Sequence, residues 1–271
     1  MKKAFISLTA AALLAACTPA ADPVPPVLVV EGWIESGEYP VVMVTTAVTP
    51  TTQTQKVSDL SDHIERWARV ALSDGEQEVI LSGLVSTRYF PPYYYTTGRM
   101  KGEVGKTYTL TVDVKGHHAS STVTIPAPAG LDDLQPIPYG TGDSLYLLKA
   151  RFHASQHYKF FTRIVLADEV YVPAISGMAV VEDGVTEVTI RPGNSLGRPE
   201  KRPAFRSGET VWVKCCTMDE DMYRLWTTLD DLIYLDSTPF FTLDTNLPGN
   251  VDGAIGYFAG YGRSEYKVVI P

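Results

Sequence analysis

From Val27 onward the apolar and β-branched residues come in short runs, some alternating and some continuous, cut by Gly, Pro, Asp and Ser turn signals. That spacing predicts many short strands, the pattern of a sandwich or barrel. "VLVVEGWI" (27–34) and "PVVMVTTAV" (40–48) flank the turn-rich "ESGEY" and predict a hairpin. "ERWARVALSDGEQEVILSGL" repeats the design, with Asp74-Gly75 as the turn dipeptide. In "GKTYTLTVDVKGHHASSTVTIPAP", Tyr108, Leu110, Val112 and Val114 alternate with polar residues, and Val123 and Ile125 continue after a turn. This predicts a third, half-buried antiparallel hairpin.

Pro126 to Gly130 forms a stiff break, which places a domain boundary between residues 27–128 and residues 131–271. The expected fold is mainly β: an immunoglobulin-like β-sandwich followed by a β-rich domain with one packed amphipathic helix. The second half opens with "SLYLLKARFHASQHYKFFTRIVL", which predicts a hairpin turning at Ala154-Ser155-Gln156. Residues 191–209 carry Arg, Lys, Pro and Gly without a period and predict a long surface loop. The helix is expected at about 217–235. Thr217 and Glu220 fit a capping box, and Met222, Leu225, Trp226, Leu229, Leu232 and Ile233 recur at steps of three and four. Glycines 253, 256, 260 and 262 in the closing strands predict bulges or close backbone approach.

The first residues change the picture. Met1, Lys2 and Lys3 precede an apolar segment, Ala4 to Leu14, too short for a span of about 20 residues. Residues 1–16 read as a signal peptide, and Leu14-Ala15-Ala16-Cys17 resembles the bacterial lipobox, in which the cysteine is acylated and becomes the new N-terminus. Two or more acyl chains anchor stably where one does not. Cys17 is therefore the expected lipid anchor, and the small, proline-rich residues 17–26 the tether.

The chain carries a net charge of −8 at pH 7, and removal of Lys2 and Lys3 makes the remainder more acidic. Nothing forms a basic patch of the kind phosphate neutralisation needs, so nucleic acid is not an expected partner. Besides Cys17, the chain has only the neighbours Cys215 and Cys216. Strand alternation predicts two unlinked thiols on opposite faces, one buried and one exposed, with a vicinal disulfide as the alternative.

The chemistry-bearing candidates are few. The chain has no G-x-S-x-G elbow, no H-E-x-x-H helix, no Walker A loop and no dinucleotide fingerprint, so no catalytic residue and no cofactor is assigned. His153 and His157 have an i, i+4 spacing but flank a predicted turn, which makes them weak metal candidates. Asp244, Asn246, Asn250 and Asp252 in "DTNLPGNVDG" resemble an oxygen-rich calcium loop, but Ile255 stands where an EF-hand needs Glu. The most informative stretch is "RYFPPYYYTTGRM". At most half of its consecutive tyrosines can face a core, and the Pro pair cannot sit inside a sheet. Tyr89, Phe90, Tyr93, Tyr94 and Tyr95 are therefore candidate partner or ligand contacts, against the alternative that they pack across the domain junction.

"RWARVALSDGEQEVILSG", "FPPYYYTTGRMKGEVGKTYTLTV", "TIPAP", "SGETVWVKCCTMDEDMYRLWTTL" and "NVDGAIGYFAGYG", in that order and with the lipobox, resemble the Bacteroidota lipoproteins that carry the domain of unknown function 4249. The resemblance covers most of the chain after Cys17. It implies an outer-membrane lipoprotein that assists a TonB-dependent receptor, since family members tend to be encoded beside such receptors. It brings no catalytic or ligand residues. "TPAADP" after Cys17 lacks the acidic cluster that often directs lipoproteins of this phylum to the cell surface, which leaves surface and periplasmic leaflet both open. The alternatives are a structural or adhesion module of the envelope and a hydrolase without a recognisable motif.

Overall fold

A computed structural model describes residues 27–47, 61–142, 144–153, 156–193, 202–236 and 247–271, with the side chains of 232–236 outside the description. The signal, Cys17 and the tether lie outside the described residues, as do residues 194–201 of the expected long loop.

The first half contains β1 (Leu28–Glu35), β2 (Val41–Thr46), β3 (Arg69–Ser73), β4 (Glu78–Ile80), β5 (Ser82–Val85), β6 (Tyr93–Thr96), β7 (Thr107–Val114) and β8 (His117–Thr124). The second half contains β9 (Asp133–Pro138), β10 (Leu145–Phe152), β11 (His157–Ile164), β12 (Val172–Pro173), β13 (Ile175–Ser176), β14 (Val180–Glu182), β15 (Val185–Arg191), β16 (Phe205–Arg206) and β17 (Thr210–Met218). One helix, α1 (Glu220–Asp236), and the long strand β18 (Ile255–Val269) follow. Among the described residues the protein is mainly β with a single α-helix, as the hydrophobic pattern predicts.

Three of the predicted hairpins form. β1 pairs antiparallel with β2, β3 with β4 and β7 with β8. Asp74 closes its turn by accepting the N–H groups of Glu76 and Gln77 on Oδ1, at 3.1 and 2.9 Å. At the β7–β8 turn Lys115 and Gly116 both take positive φ, 49° and 83°, the conformation that matches strand twist in a two-residue hairpin.

The fourth does not form. β11 pairs with β12 and β17, whereas β10 pairs with β9, β15 and β16 in another sheet. The chain thus passes from one sheet to the opposite one between Phe152 and His157. Phe152 and Phe160 meet edge-to-face across the core, with centroids 5.7 Å apart. Two apolar strands separated by a short polar link read alike whether they pair side by side or face each other, and Ala-Ser-Gln lacks the Gly or Asn that a tight turn demands.

The spine is an eight-stranded sheet of order β12-β11-β17-β18-β1-β2-β6-β5. β18 joins its halves, running parallel to β1 from Ile255 to Tyr261 and antiparallel to β17 from Gly262 to Val269. Alternation along β18 sends Phe258 into one core and Val268 into a second, on the same face. The four-stranded sheet β4-β3-β7-β8 closes the first core with Leu72, Tyr108 and Leu110, and the sheet built on β15, β10 and β16 closes the second with Phe152, Ile190 and Phe205. Each such fully buried side chain contributes about 1.5–3 kcal/mol.

Residues 126–130, where the sequence places a domain boundary, cross this same face between the two cores. Thr217 Oγ1 donates to Ala127 O (2.7 Å), Ser264 Oγ donates to Ala129 O (2.6 Å), and Leu131 N–H donates to Tyr266 Oη (2.7 Å). Gly262 permits the crossing, since a Cβ there would stand 2.4 Å from Pro126 O. Val251, Ala254 and Phe258 pack into the first core although they belong to the chain's second half.

The other face of the spine carries α1. Met222 and Leu225 are buried against Cys216, Met218 and Ala259, with Trp226 and Leu229 beside them. Of the predicted apolar stripe, the side chains of Leu232 and Ile233 lie outside the described residues. The cap differs from the expected box: Asp219 Oδ1 accepts the Met222 N–H at 2.9 Å, while Thr217 belongs to β17 and straps the crossing segment. Both thiols are buried, contrary to the expectation of one exposed. Cys215 faces the second core and Cys216 faces the helix, because both faces of β17 are covered there.

Candidate functional site

Beyond the edge of α1 the outer face of the spine stays open as a cleft of about 430 Å³. It is built by alternation. Trp33 and Glu35 project from β1, Tyr261 and Arg263 from β18, Lys214 from β17, and Phe161 and Arg163 from β11. The neighbouring loops add Glu38, Tyr39, Arg88, Tyr89, Glu169 and Tyr171, and the helix adds Trp226. A second concavity, about 670 Å³, shares Arg88, Arg163 and Glu169 with the first.

The floor is charged and paired. Lys214 bonds Glu35, and both are buried. Arg263 lies 3.5 Å from Glu35 and also bonds Glu38. Aromatic rings surround these charges. The Lys214 ammonium sits 4.8 Å from the Tyr171 centroid and 5.1 Å from that of Phe161, distances at which a ring face attracts a cation. Trp226 Nε1 donates to Tyr261 Oη at 3.0 Å, which fixes the indole at the wall. Tyr171 Oη donates to Glu265.

Burial sets the protonation states. The phenols of Tyr89 and Tyr261 are pushed up, in each case chiefly by burial and then by a neighbouring tyrosine, Tyr94 and Tyr257 respectively. Burial also lifts Glu265, against the opposing charge of Arg163. At neutral pH the phenols remain protonated and act as donors and contact surface. Burial drives the Cys215 thiol to about 12 and raises Cys216 as well.

The tyrosine-rich segment divides by strand parity. Tyr95 enters the first core, donating to Glu65 O (2.6 Å) and accepting the Ala68 N–H (3.0 Å). Tyr93 leans on the same core and donates to Arg66 O at 3.1 Å. Tyr94 points the other way and meets Tyr89 at 4.9 Å, and Tyr89 in turn meets Trp33 at 5.9 Å. Tyr89 is the member of the group that lines the cleft, and Phe90 is exposed.

The two histidines have separate partners. His153 lies 3.0 Å from Asp132, whereas His157 lies 2.6 Å from Glu220 and stacks on Tyr223 at 4.3 Å. Among the described residues no group of three His, Cys, Asp or Glu side chains is placed to hold a metal ion. Asn250 clamps a strand, donating from Nδ2 to Phe258 O and accepting the Phe258 N–H on Oδ1, both at 2.8 Å. The Asp252 backbone pairs with Ser120. Asp244, Asn246 and Cys17 lie outside the described residues.

Sequence reasoning missed Trp33, Glu35, Lys214 and Arg263. The available signal was polar residues set at alternate positions in otherwise apolar strands: "EGWIE" places a Trp between carboxylates on one face, and "VWVKC" sets one Lys among buried neighbours. The family model described as "Domain of unknown function (DUF4249)" matches residues 17–267. No curated protein matches the chain.

Proposed function

The chain belongs to the family of the domain of unknown function DUF4249, and from that membership together with the cleft we propose that it is a lipid-anchored binding protein of a Bacteroidota outer membrane, assisting a TonB-dependent receptor in nutrient uptake. The observation that carries the binding role is the concave site itself: aromatic walls around a few fixed charges, at a volume of about 430 Å³, within the range of about 300–1,000 Å³ common for ligand sites. Acylated Cys17 supplies the membrane attachment in this reading, and no described helix is long and apolar enough to cross a membrane. The first sandwich is read as immunoglobulin-like on its two facing sheets, antiparallel but for the parallel β1–β18 pair. No residue is given a catalytic role, because burial keeps the cleft phenols Tyr89 and Tyr261 protonated and the sequence carries no catalytic motif.

The test is a gentle detergent pull-down of the tagged protein from its native membrane, with Cys17→Ser as the unanchored control and mass spectrometry as readout. Stoichiometric recovery of one TonB-dependent receptor with the wild type supports the proposal. Recovery of no receptor, or of diverse envelope proteins in both samples, overturns it in favour of a structural or adhesive role.

A further inference from the structure

Charge pairing in the cleft is uneven. Lys214 and Arg263 are matched by Glu35 and Glu38, but among the described residues neither Arg88 nor Arg163 forms an ion pair. Both line the cleft and the neighbouring concavity, so they stand where the two adjoin. Arg163 is held in place with its guanidinium carbon 5.6 Å from the Tyr171 centroid, and its Nε is buried with no hydrogen-bond partner. A buried N–H left without a partner costs free energy and calls for an acceptor. Glu169 shares this rim and Asp168 lines the neighbouring concavity, so the two arginines, neither of them in an ion pair, stand beside two carboxylates there.

We infer that the cleft binds an organic carboxylate with an aromatic or bulky apolar body, its carboxylate received by Arg163 and Arg88 and its body by the Trp33, Tyr89 and Phe161 rings. A guanidinium presents two parallel N–H groups that match the two oxygens of a carboxylate. Stacking of Arg163 on Tyr171 fixes the plane of that fork before the ligand arrives, which reduces the ordering cost of binding. The aromatic walls then select for a body that gains from ring contact. A free organic acid and the C-terminal residue of a peptide present this same chemistry. The inference rests on the cleft being a binding site and is independent of which receptor, if any, the protein assists.

The experiment is isothermal titration of the full-length protein in neutral detergent with four probes: 3-phenylpropanoate, its amide, the tripeptide Ala-Ala-Phe and that tripeptide's C-terminal amide. The expected result is that at least one acid binds ten-fold or more tightly than its amide, and that Arg163→Gln and Arg88→Gln each remove this preference while leaving the weak amide binding in place. Tighter binding by the tripeptide identifies a peptide end as the source, and tighter binding by phenylpropanoate a free acid. Equal binding of acid and amide, no binding of either acid, or variants that keep the full preference would overturn the inference. If Arg163→Gln fails to fold, the wild-type comparison and Arg88→Gln still decide. Because these titrations use the isolated protein, their failure is distinguishable from failure to recover a receptor.

Discussion

Lys214 and Glu35, 179 residues apart in the chain, form an ion pair buried beneath the aromatic walls of the cleft. The pair ties β17 to β1 across β18, which lies between them in the sheet. A buried charge that loses its partner remains desolvated, which is why breaking such a pair costs more than replacing both members. Lys214→Ala is therefore expected to lower unfolding free energy by about 3 kcal/mol, the 3.5 Å contact from Arg263 to Glu35 limiting the loss. Urea unfolding of Lys214→Met, Glu35→Gln and the double variant should give a coupling of about 1–3 kcal/mol. Strict additivity would show that the pair is not coupled.

Glu31 provides a pH-dependent contrast. It lies on the same face of β1 as Trp33 and Glu35, opposite Tyr257 in the parallel ladder. Burial raises its carboxyl above the ordinary 4.5. The folded state then holds this proton more tightly than the unfolded chain does, so stability is fully present below 4.5 and falls as pH rises through the raised value. Glu31→Gln should melt at a higher temperature than the wild type at pH 7, with the difference vanishing well below pH 4.5. A variant that melts lower at pH 7 would show that the ionised carboxylate has a stabilising partner.

Gly256 occupies φ +121°, and a Cβ there would stand 1.9 Å from Val30 O. Gly37 has φ +82° but open space around it. Both substitutions to Ala pay for the unfavourable backbone region, about 1–2 kcal/mol, and only Gly256→Ala adds a collision with the backbone of β1. The expected loss is about 1 kcal/mol for Gly37→Ala and about 3 kcal/mol or more for Gly256→Ala. Equal losses by thermal or urea unfolding would show that β1 and β18 can slide apart to admit a methyl group.

Cys215 and Cys216 are free and buried on opposite faces of β17. Burial keeps both thiols protonated, and the thiolate is the reactive form. In a Cys17→Ser background, Ellman's reagent at pH 8 should leave the native protein unmodified and titrate both thiols in urea. Rapid native labelling would mean that α1 lifts from the sheet readily.

The hydrophobic pattern discloses the elements whose partners are near in sequence. Asp74-Gly75 and Lys115-Gly116 mark their hairpins because the turn residue and the strand alternation lie within a few positions of each other. Parity in "YYYT" likewise separates Tyr95 from Tyr94 in advance. The β10–β11 link misleads because facing strands and paired strands have the same apolar pattern. Thr217 misleads because a Thr that straps Ala127 and a Thr that caps a helix look identical from their local sequence. The cleft escapes for a further reason: Glu35, Lys214 and Arg263 sit on the polar side of alternating strands, where charged residues ordinarily face water, and only the order of strands across the sheet brings them together.

The placement of β18 bears on the order of events when the chain is made. Its first half completes one core and its second half the other, and it leaves the ribosome after every other strand described. Strands β1 and β17 can find no lasting partner in each other until it arrives, so a chain interrupted before Ile255 lacks the seam for both sandwiches at once. Premature termination therefore yields no half-folded product with one good domain: both halves wait on the same fifteen residues, and an incomplete copy is exposed to proteases along its whole length.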